Sequence, residues 1–323
     1  MGTLQFVTLD VFTINAYEGN PLAVIKVPAA LRSSLTKERK QLIAREFNLS
    51  ETVFLHENRL TDAQNEWTID IFTTQDELPF AGHPTIGSAC YMLNGHEPGR
   101  QVSGTFITKA GRVPILREPS KIGNGLARVQ ADVPHNVHIH YHTLGDLRNP
   151  IPGLSNNPVL ARAEMDAALV SIVKGMTFLL VQLDNLEMLA QVEVVGTELS
   201  FHGLLDHAKG WDLGFVAKYY YVIEDTLYVN GYGIGDDKVQ RIRTRMIEST
   251  MEDPATGSAA CALGSYLALR QNRTRKFEVT QGVEMGRKSV IGVEVVVDKE
   301  GRRVESVKLS GSAVLVMEGT LRI

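Results

Sequence analysis

The stretch ELPFAGHPTIGSACYML at residues 77–93 joins a strand-like run to a helix-like run through a Gly-His-Pro corner, and a similar corner, EDPATGSAACAL, returns at 252–263. With His83 set on Asp253 the two align without a gap: Pro84 meets Pro254, Gly87 meets Gly257, Ser88 meets Ser258 and Ala89 meets Ala259. A strand-corner-helix that occurs twice is either a duplicated packing unit or two halves of one active site. In either case the chain contains two related copies.

The offset of 170 residues from His83 to Asp253 carries further along the chain. FVTLDVF (6–12) falls on MTFLLVQ (176–182), both reading as opening strands; ETVFLHE (51–57) falls on YVIEDTL (221–227), and TIDIFTT (68–74) on KVQRIRT (238–244). AGRVPI (110–115) resembles MGRKSVI (285–291) at a slightly larger offset. A unit this long lies far above solenoid periods, so two copies of one domain are expected rather than a repeat array. With 323 residues and 44% apolar content, the chain can bury a substantial core.

Each copy has the same coarse order of an opening β-branched strand, a helix, further strands, the corner, a second helix and hairpins. TKERKQLIAREF (36–47) reads as a helix from its Thr36 start and from Leu42, Ile43 and Phe47 on one side. The helices after the corners, near 84–94 and 254–270, are rich in Ala, Gly, Ser and Cys and nearly uncharged, which is the composition of a buried helix. Small side chains let a sheet come close, so each copy is expected to curl strands around its own central helix. VIGVEVVVDKEGRRVESVKL (290–309) reads as two strands joined at a Gly-containing turn. Pro134, Pro150, Pro152 and Pro158 mark a linker composition between the copies.

Charge and composition exclude several classes. A formal net charge of -4 without a dense Lys/Arg block argues against nucleic acid or an anionic membrane as partner. No apolar run reaches spanning length, and the start MGTLQFVTLDVF lacks the pattern of a secretory signal, so a soluble cytoplasmic protein is expected. The sequons at Asn48 and Asn272 then read as chance matches. Two cysteines, Cys90 and Cys261, cannot form a disulfide framework in a chain of this size.

The corners themselves can carry chemistry. His83-Pro84 and Asp253-Pro254 both read as a polar N-cap followed by Pro at the first helical position. The plain alternative is that these residues only cap helices. If the copies face each other, two helix N-termini converge on one cleft, and their N–H groups and positive dipole ends suit a carboxylate or a developing enolate. Facing such a ligand would be His83, Asp253 and Ser258, with the backbone at Gly82 and Gly257. Glu51, in NLSETVFL, adds a carboxylate that one copy alone supplies, because the same offset places Tyr221 opposite it.

The combination VTLDVFTINAYEGNPLAVI, NLSETVFL, ELPFAGHPTIGSA, EDPATGSA and QGVEMGRKSV resembles the phenazine-biosynthesis PhzF-like isomerases, within the diaminopimelate epimerase-like superfamily. The resemblance runs from residue 6 to near the C-terminus. It implies an α+β fold of two pseudo-symmetric lobes, each a curved, mostly antiparallel sheet wrapped around a central helix, with the site between them. The last strand would return to the first lobe, giving residues 1–132 plus 311–323 as one lobe and 133–310 as the other. It implies Glu51 as the acid/base, with His83, Asp253 and Ser258 as its catalytic companions. Asn20, Ser50, Gly82 and Gly257 would hold a small carboxylated substrate. No cofactor is implied, and a homodimer is.

Two opposed thiols, as in the epimerases of that superfamily, are not expected here. Cys90 lies seven residues past His83 and Cys261 eight past Asp253, well inside the buried helices, where Cys is a small apolar filler. HNVHIHYH (135–142) places His138, His140 and His142 on one strand face, but no Cys, Asp or Glu completes a local ligand set, so no metal is expected. GYGIGD (231–236) lacks the spacing and the following helix of a nucleotide loop and reads as a turn. The leading expectation is an isomerase that moves a proton through Glu51. Its rivals are a lyase or cyclase using the same residues, and a non-catalytic two-lobed binding protein, which would have no need to keep Glu51, His83, Asp253 and Ser258 together.

Overall fold

In the computed structural model, residues 2–58, 65–94, 102–119, 127–147, 151–197, 199, 201, 203–212, 214–228, 238–248 and 250–323 are described. The GYGIGD run lies outside them. The chain divides into two compact units, Met1–Pro134 with Leu309–Ile323, and His135–Lys308.

In chain order the elements begin with β1 (Thr3–Val11), β2 (Asn20–Val27), α1 (Lys37–Phe47), β3 (Thr52–His56), β4 (Glu66–Phe72), β5 (Glu77–Leu78) and α2 (Gly82–Leu93). There follow β6 (Ser103–Thr108), β7 (Gly111–Arg117), β8 (Val129–Asp132), β9 (His138–Ile139), α3 (Pro158–Met165), β10 (Ala168–Val173), β11 (Gly175–Gln182) and α4 (Leu186–Ala190). The chain ends with β12 (Gly214–Tyr228), β13 (Lys238–Glu248), β14 (Met251–Asp253), α5 (Gly257–Arg270), β15 (Arg275–Gln281), β16 (Ser289–Val297), β17 (Val304–Gly311) and β18 (Ala313–Arg322).

The duplication is written in the strand pairings. In the first unit β1–β2 is antiparallel, β2–β3 parallel, β3–β4 antiparallel, β4–β6 parallel and β6–β7 antiparallel. In the second unit β10–β11, β11–β12, β12–β13, β13–β15 and β15–β16 repeat that series of senses in the same order. Helix α1 or α4 occupies the first parallel crossover and α2 or α5 the second. Strand β11 is therefore the counterpart of β2, not of the opening strand β1 on which the 170-residue offset places it.

Each central helix is wrapped by the strands of its own unit. Helix α2 packs against β1, β2, β3, β7, β8 and β18, and α5 against β10, β11, β15 and β16. Close approach is possible because the helices carry small residues. A Cβ added at Gly87 would lie 2.5 Å from Leu22 Cδ2 and 2.7 Å from Val11 Cγ2, so only hydrogen fits where α2 crosses β1 and β2. Strand β2 is covered on both faces and reads as an almost continuous apolar run, PLAVIKV.

A second layer covers the outer faces. Helix α1, capped by Thr36 Oγ1 accepting from Arg39 N, lays Ile43 and Ala44 on Leu4, Ile25, Phe54 and Phe72. Leu42, which the periodicity places on that face, is instead 53% exposed, because the buried stripe runs through Ala44. In the second unit a core of Leu160, Leu179, Leu189, Leu204 and Tyr220 lies under α3, α4 and the loop that follows α4. Within that layer Glu164 is fully buried; it accepts from Lys218 Nζ at 3.1 Å, Ser155 N at 2.9 Å and the Tyr220 hydroxyl. No helix among the described residues is long and apolar enough to cross a membrane.

Candidate active site

Glu51 stands at the head of β3. Phe54 packs outward under α1, so by the two-residue period of a strand Val53 and Glu51 face the opposite way, towards α2. The side chain keeps 17% of its surface exposed, and its Oε2 lies 3.6 Å from His83 Nε2. Burial pushes the Glu51 carboxyl up to about 7, while the neighbouring Ser50 hydroxyl pulls the other way. Ser50 Oγ is buried beside that carboxyl without a well-formed hydrogen bond to protein. Thr52 and Ser88 carry similar orphan hydroxyls, so the orphan matters here only because it adjoins Glu51.

His83 is the second residue of α2 and 5% exposed. Its Nδ1 faces Asn20 Nδ2 at 3.5 Å; Asn20 begins β2 and is itself buried. With the Asn20 amide donating, Nδ1 is the acceptor and the ring proton sits on Nε2, the nitrogen that looks at Glu51. Asn20, His83, Glu51 and Ser50 thus form one cluster in the first unit, brought together from β2, α2 and the head of β3. Gly82 opens α2, whose preceding residue, Ala81, offers no side-chain cap. The N–H groups of a first turn have no partner inside their own helix and favour negative charge.

The second unit arranges its residues differently from the sequence alignment. Asp253 ends β14, paired with Met246, and is not a helix cap. Helix α5 opens at Gly257 with Thr256 before it, and Ser258 is its second residue. Thr256 Oγ1 donates to Asp253 Oδ2 at 2.5 Å. Gln281, at the end of β15, ties the corner together: its Nε2 donates to Asp253 O at 2.8 Å and Thr256 Oγ1 at 3.0 Å. Its Oε1 accepts from Thr256 N at 3.2 Å and the Tyr219 hydroxyl at 3.1 Å. Gly282, at φ +73, follows; a Cβ there would meet Pro254 O and Arg287 O, each at 2.6 Å.

Pairing also corrects the equivalences. Phe72 pairs with Glu77 and Ile247 with Glu252, and the helices open at Gly82 and Gly257, so near the corners the true offset is 175 residues. His83 therefore matches Ser258, the second residue of each helix, and Asp253 matches Leu78. Thr52 pairs with Phe72 and Lys218 with Ile247, which matches Glu51 to Ala217, not Tyr221. The N-cap reading of His83 and Asp253 fails for the same reason: one lies inside its helix, the other in a strand before it. Thr256, Gln281 and Tyr219 carried no site signal in the sequence beyond the presence of Thr256 in the EDPATGSA motif and of Gln281 in the QGVEMGRKSV motif.

Cys90 and Cys261 are buried in α2 and α5, and burial pushes the Cys90 thiol up to about 12 and the Cys261 thiol upward as well. Neither is poised as a thiolate base.

The fold is sheet-rich α+β with a central helix in each unit, and relatives of known name give its class, an enzyme of the isomerase type. Residues 9–319 match the family model for phenazine biosynthesis-like proteins, PhzC-PhzF, and the chain belongs to that family. It is 30% identical to the trans-2,3-dihydro-3-hydroxyanthranilate isomerase of Pseudomonas aeruginosa over 325 residues, covering 98% of each chain. An uncharacterized isomerase of Mesorhizobium japonicum is 29% identical, with complete coverage of both. Among solved structures, a PhzF-family phenazine biosynthesis protein of Bacillus anthracis aligns over 100% of each chain with a TM-score of 0.71 at 22% identity. A probable proline racemase of Agrobacterium radiobacter aligns over 99% of this chain and 92% of its own with a TM-score of 0.58 at 15% identity, a likeness of fold.

Proposed function

We propose that the protein is a cofactor-independent isomerase that moves a proton between two carbons of a small carboxylated substrate, with Glu51 as the acid/base. The observation that carries this reading is the Glu51 carboxyl, buried and lifted to about 7, with His83 Nε2 at 3.6 Å. A group that titrates near neutrality is present in both forms at working pH, so it takes a proton and returns it with little driving force lost in either direction. In the ionised form Glu51 removes a proton from the carbon next to the activating group. In the neutral form it delivers that proton to another carbon of the same conjugated system.

The Nε2–H of His83 and the first turn of α2 supply donors for negative charge that develops on the substrate between the two transfers. Ser50 Oγ and Asn20 hold substrate oxygens and the His83 ring. The catalytic roles that the family resemblance gives Asp253 and Ser258, and the substrate-holding roles of Gly82 and Gly257, belong to the same proposal. The activity of the Pseudomonas relative makes trans-2,3-dihydro-3-hydroxyanthranilate the first compound to try.

The test is deuterium incorporation. Wild type and Glu51→Gln are incubated in D2O with that compound and with a panel of small carboxylated dienes and amino acids, and label and product isomers are read by mass spectrometry and NMR. Enzyme-dependent isomerisation, lost in Glu51→Gln while ligand affinity stays within about tenfold, is the expected result. Equal turnover by wild type and variant would end the proton-transfer role of Glu51. Loss of a leaving group in place of isomerisation would move the enzyme to the lyases.

A further inference from the structure

The His-rich run 135–142 finds in the tertiary structure the acid that its own sequence lacks. Strand β9 pairs with β10, His138 opposite Ser171 and Ile139 opposite Val170, and His140 N continues the ladder to Leu169 O at 2.9 Å. His138 and His140 thereby share a side, with ring centroids 4.9 Å apart. The loop carrying Asp206 is pinned against them by Leu204 and Leu205, which are buried in the second-unit core. Asp206 Oδ2 lies 2.7 Å from His138 Nε2, and Asp206 Oδ1 is 3.4 Å from Tyr141 N. One ligand atom from each of His138, His140 and Asp206 falls within 4.8 Å of the others.

We propose that His138, His140 and Asp206 form a binding site for a borderline divalent cation, Zn2+ by the chemistry of the set, with a fourth coordination position left to water. Two imidazoles and one carboxylate suit zinc or copper and do not suit magnesium or calcium, which take oxygen ligands. The tautomer of His140 is already the one required. Its Nε2 is held by Ser171 Oγ at 2.8 Å, itself bonded to Thr177 Oγ1 at 2.6 Å, while Nδ1 accepts the Asp206 N–H at 3.0 Å and so carries the lone pair. A buried hydroxyl on the far nitrogen is the outer partner that orients a metal-bound imidazole.

Tetrahedral zinc with ligands at about 2.1 Å needs its ligand atoms about 3.4 Å apart. His138 and Asp206 must therefore part by a fraction of an ångström, His140 Nδ1 must close in, and the Asp206 N–H must release Nδ1. His142 stays outside the set, facing Asp146 at 3.5 Å. The indole of Trp211 stacks on His138 with centroids 4.5 Å apart and an interplanar angle of 14°, and Lys174 lies over the outer ring at 5.7 Å from its centroid.

That stacking provides the readout. The chain has two tryptophans, so Trp67→Phe leaves Trp211 as the sole emitter. The full-length variant, stripped with chelator, is titrated with Zn2+ in a calorimeter and, separately, with Cu2+ while Trp211 fluorescence is followed. One Zn2+ per chain with a Kd of about 10 μM or tighter, Cu2+ quenching of Trp211, and protection from quenching by prior Zn2+ are expected. His138→Gln and Asp206→Asn, each checked for fold by circular dichroism, should weaken binding at least about tenfold, and His142→Gln should leave it unchanged. Should His138→Gln unfold the protein, Asp206→Asn decides alone, since it keeps the shape and the hydrogen bond. No binding below about 1 mM, or binding that survives Asp206→Asn, would overturn the site.

Discussion

Replacing Glu51 by Gln has a consequence for stability that can be measured without knowing the substrate. An unperturbed glutamate titrates near 4.5, and Glu51 in the folded protein near 7. At about 1.36 kcal/mol per tenfold change in proton affinity, the gap is worth about 3 kcal/mol against the charged form. This is an upper figure, because 17% of the side chain remains in solvent. The sign follows from which state holds the proton. Below pH 4.5 both folded and unfolded chains are protonated and nothing is lost. Between 4.5 and 7 the folded chain keeps a proton that the unfolded chain has released, so stability falls as pH rises, and above 7 the whole loss is in place. Glutamine does not titrate. The stability of Glu51→Gln relative to wild type should therefore grow by about 2–3 kcal/mol from pH 4.5 to pH 8. Urea unfolding of both proteins across that range, followed by circular dichroism, measures the difference, in which the other titrating groups cancel. A difference that stays flat within about 0.5 kcal/mol would mean that Glu51 titrates as an ordinary surface carboxyl, and the proton shuttle would lose its physical basis.

Other perturbations test the supports of the site. Asn20→Ala removes the donor to His83 Nδ1, frees the ring to take the other tautomer and takes away an amide that holds substrate; kcat should fall about tenfold and KM should rise, and a rise in KM with kcat unchanged would refute the orienting role. Gly282→Ala places a methyl group against Pro254 O and Arg287 O at a positive φ, so it should cost roughly 1–3 kcal/mol and lower Tm by a few degrees in thermal melts; an unchanged Tm would show that the corner can relax. Lys218→Met strands the buried Glu164 carboxylate and should cost about 3–5 kcal/mol in urea unfolding, most of it recovered when Glu164→Gln is added; equal losses in the single and double variants would refute the ion-pair account.

The parts legible in the sequence were those set by local composition. The near-uncharged runs around 84–94 and 254–270 had to be buried helices, and small residues such as Gly87 had to permit close packing of strands around them. The identity of the family was equally legible, because its motifs are short, contiguous and rich in Gly and Pro. Asn20, Ser50, Glu51 and His83 could be named for the same reason, each lying within such a motif.

Register and long-range polar partners were decided only by tertiary structure. An ungapped alignment rewards identical letters, and Gly87-Ser88-Ala89 matches Gly257-Ser258-Ala259; cross-strand pairing instead answers to which residues sit opposite across the sheet. That pairing shifts the frame by five residues, makes His83 the counterpart of Ser258 in the repeat, and moves Asp253 out of the helix into β14. Gln281 closes the corner at Asp253 across 28 residues of chain, and Asp206 reaches His138 across 68. Hydrogen-bonding groups so far apart leave no periodic or spacing signal, because what brings them together is the burial of Leu204, Leu205 and the strands between them. Residue type made Glu51 able to carry a proton, but its affinity near pH 7 comes from the fold, which withdraws most of its surface from water and turns it towards α2 and His83.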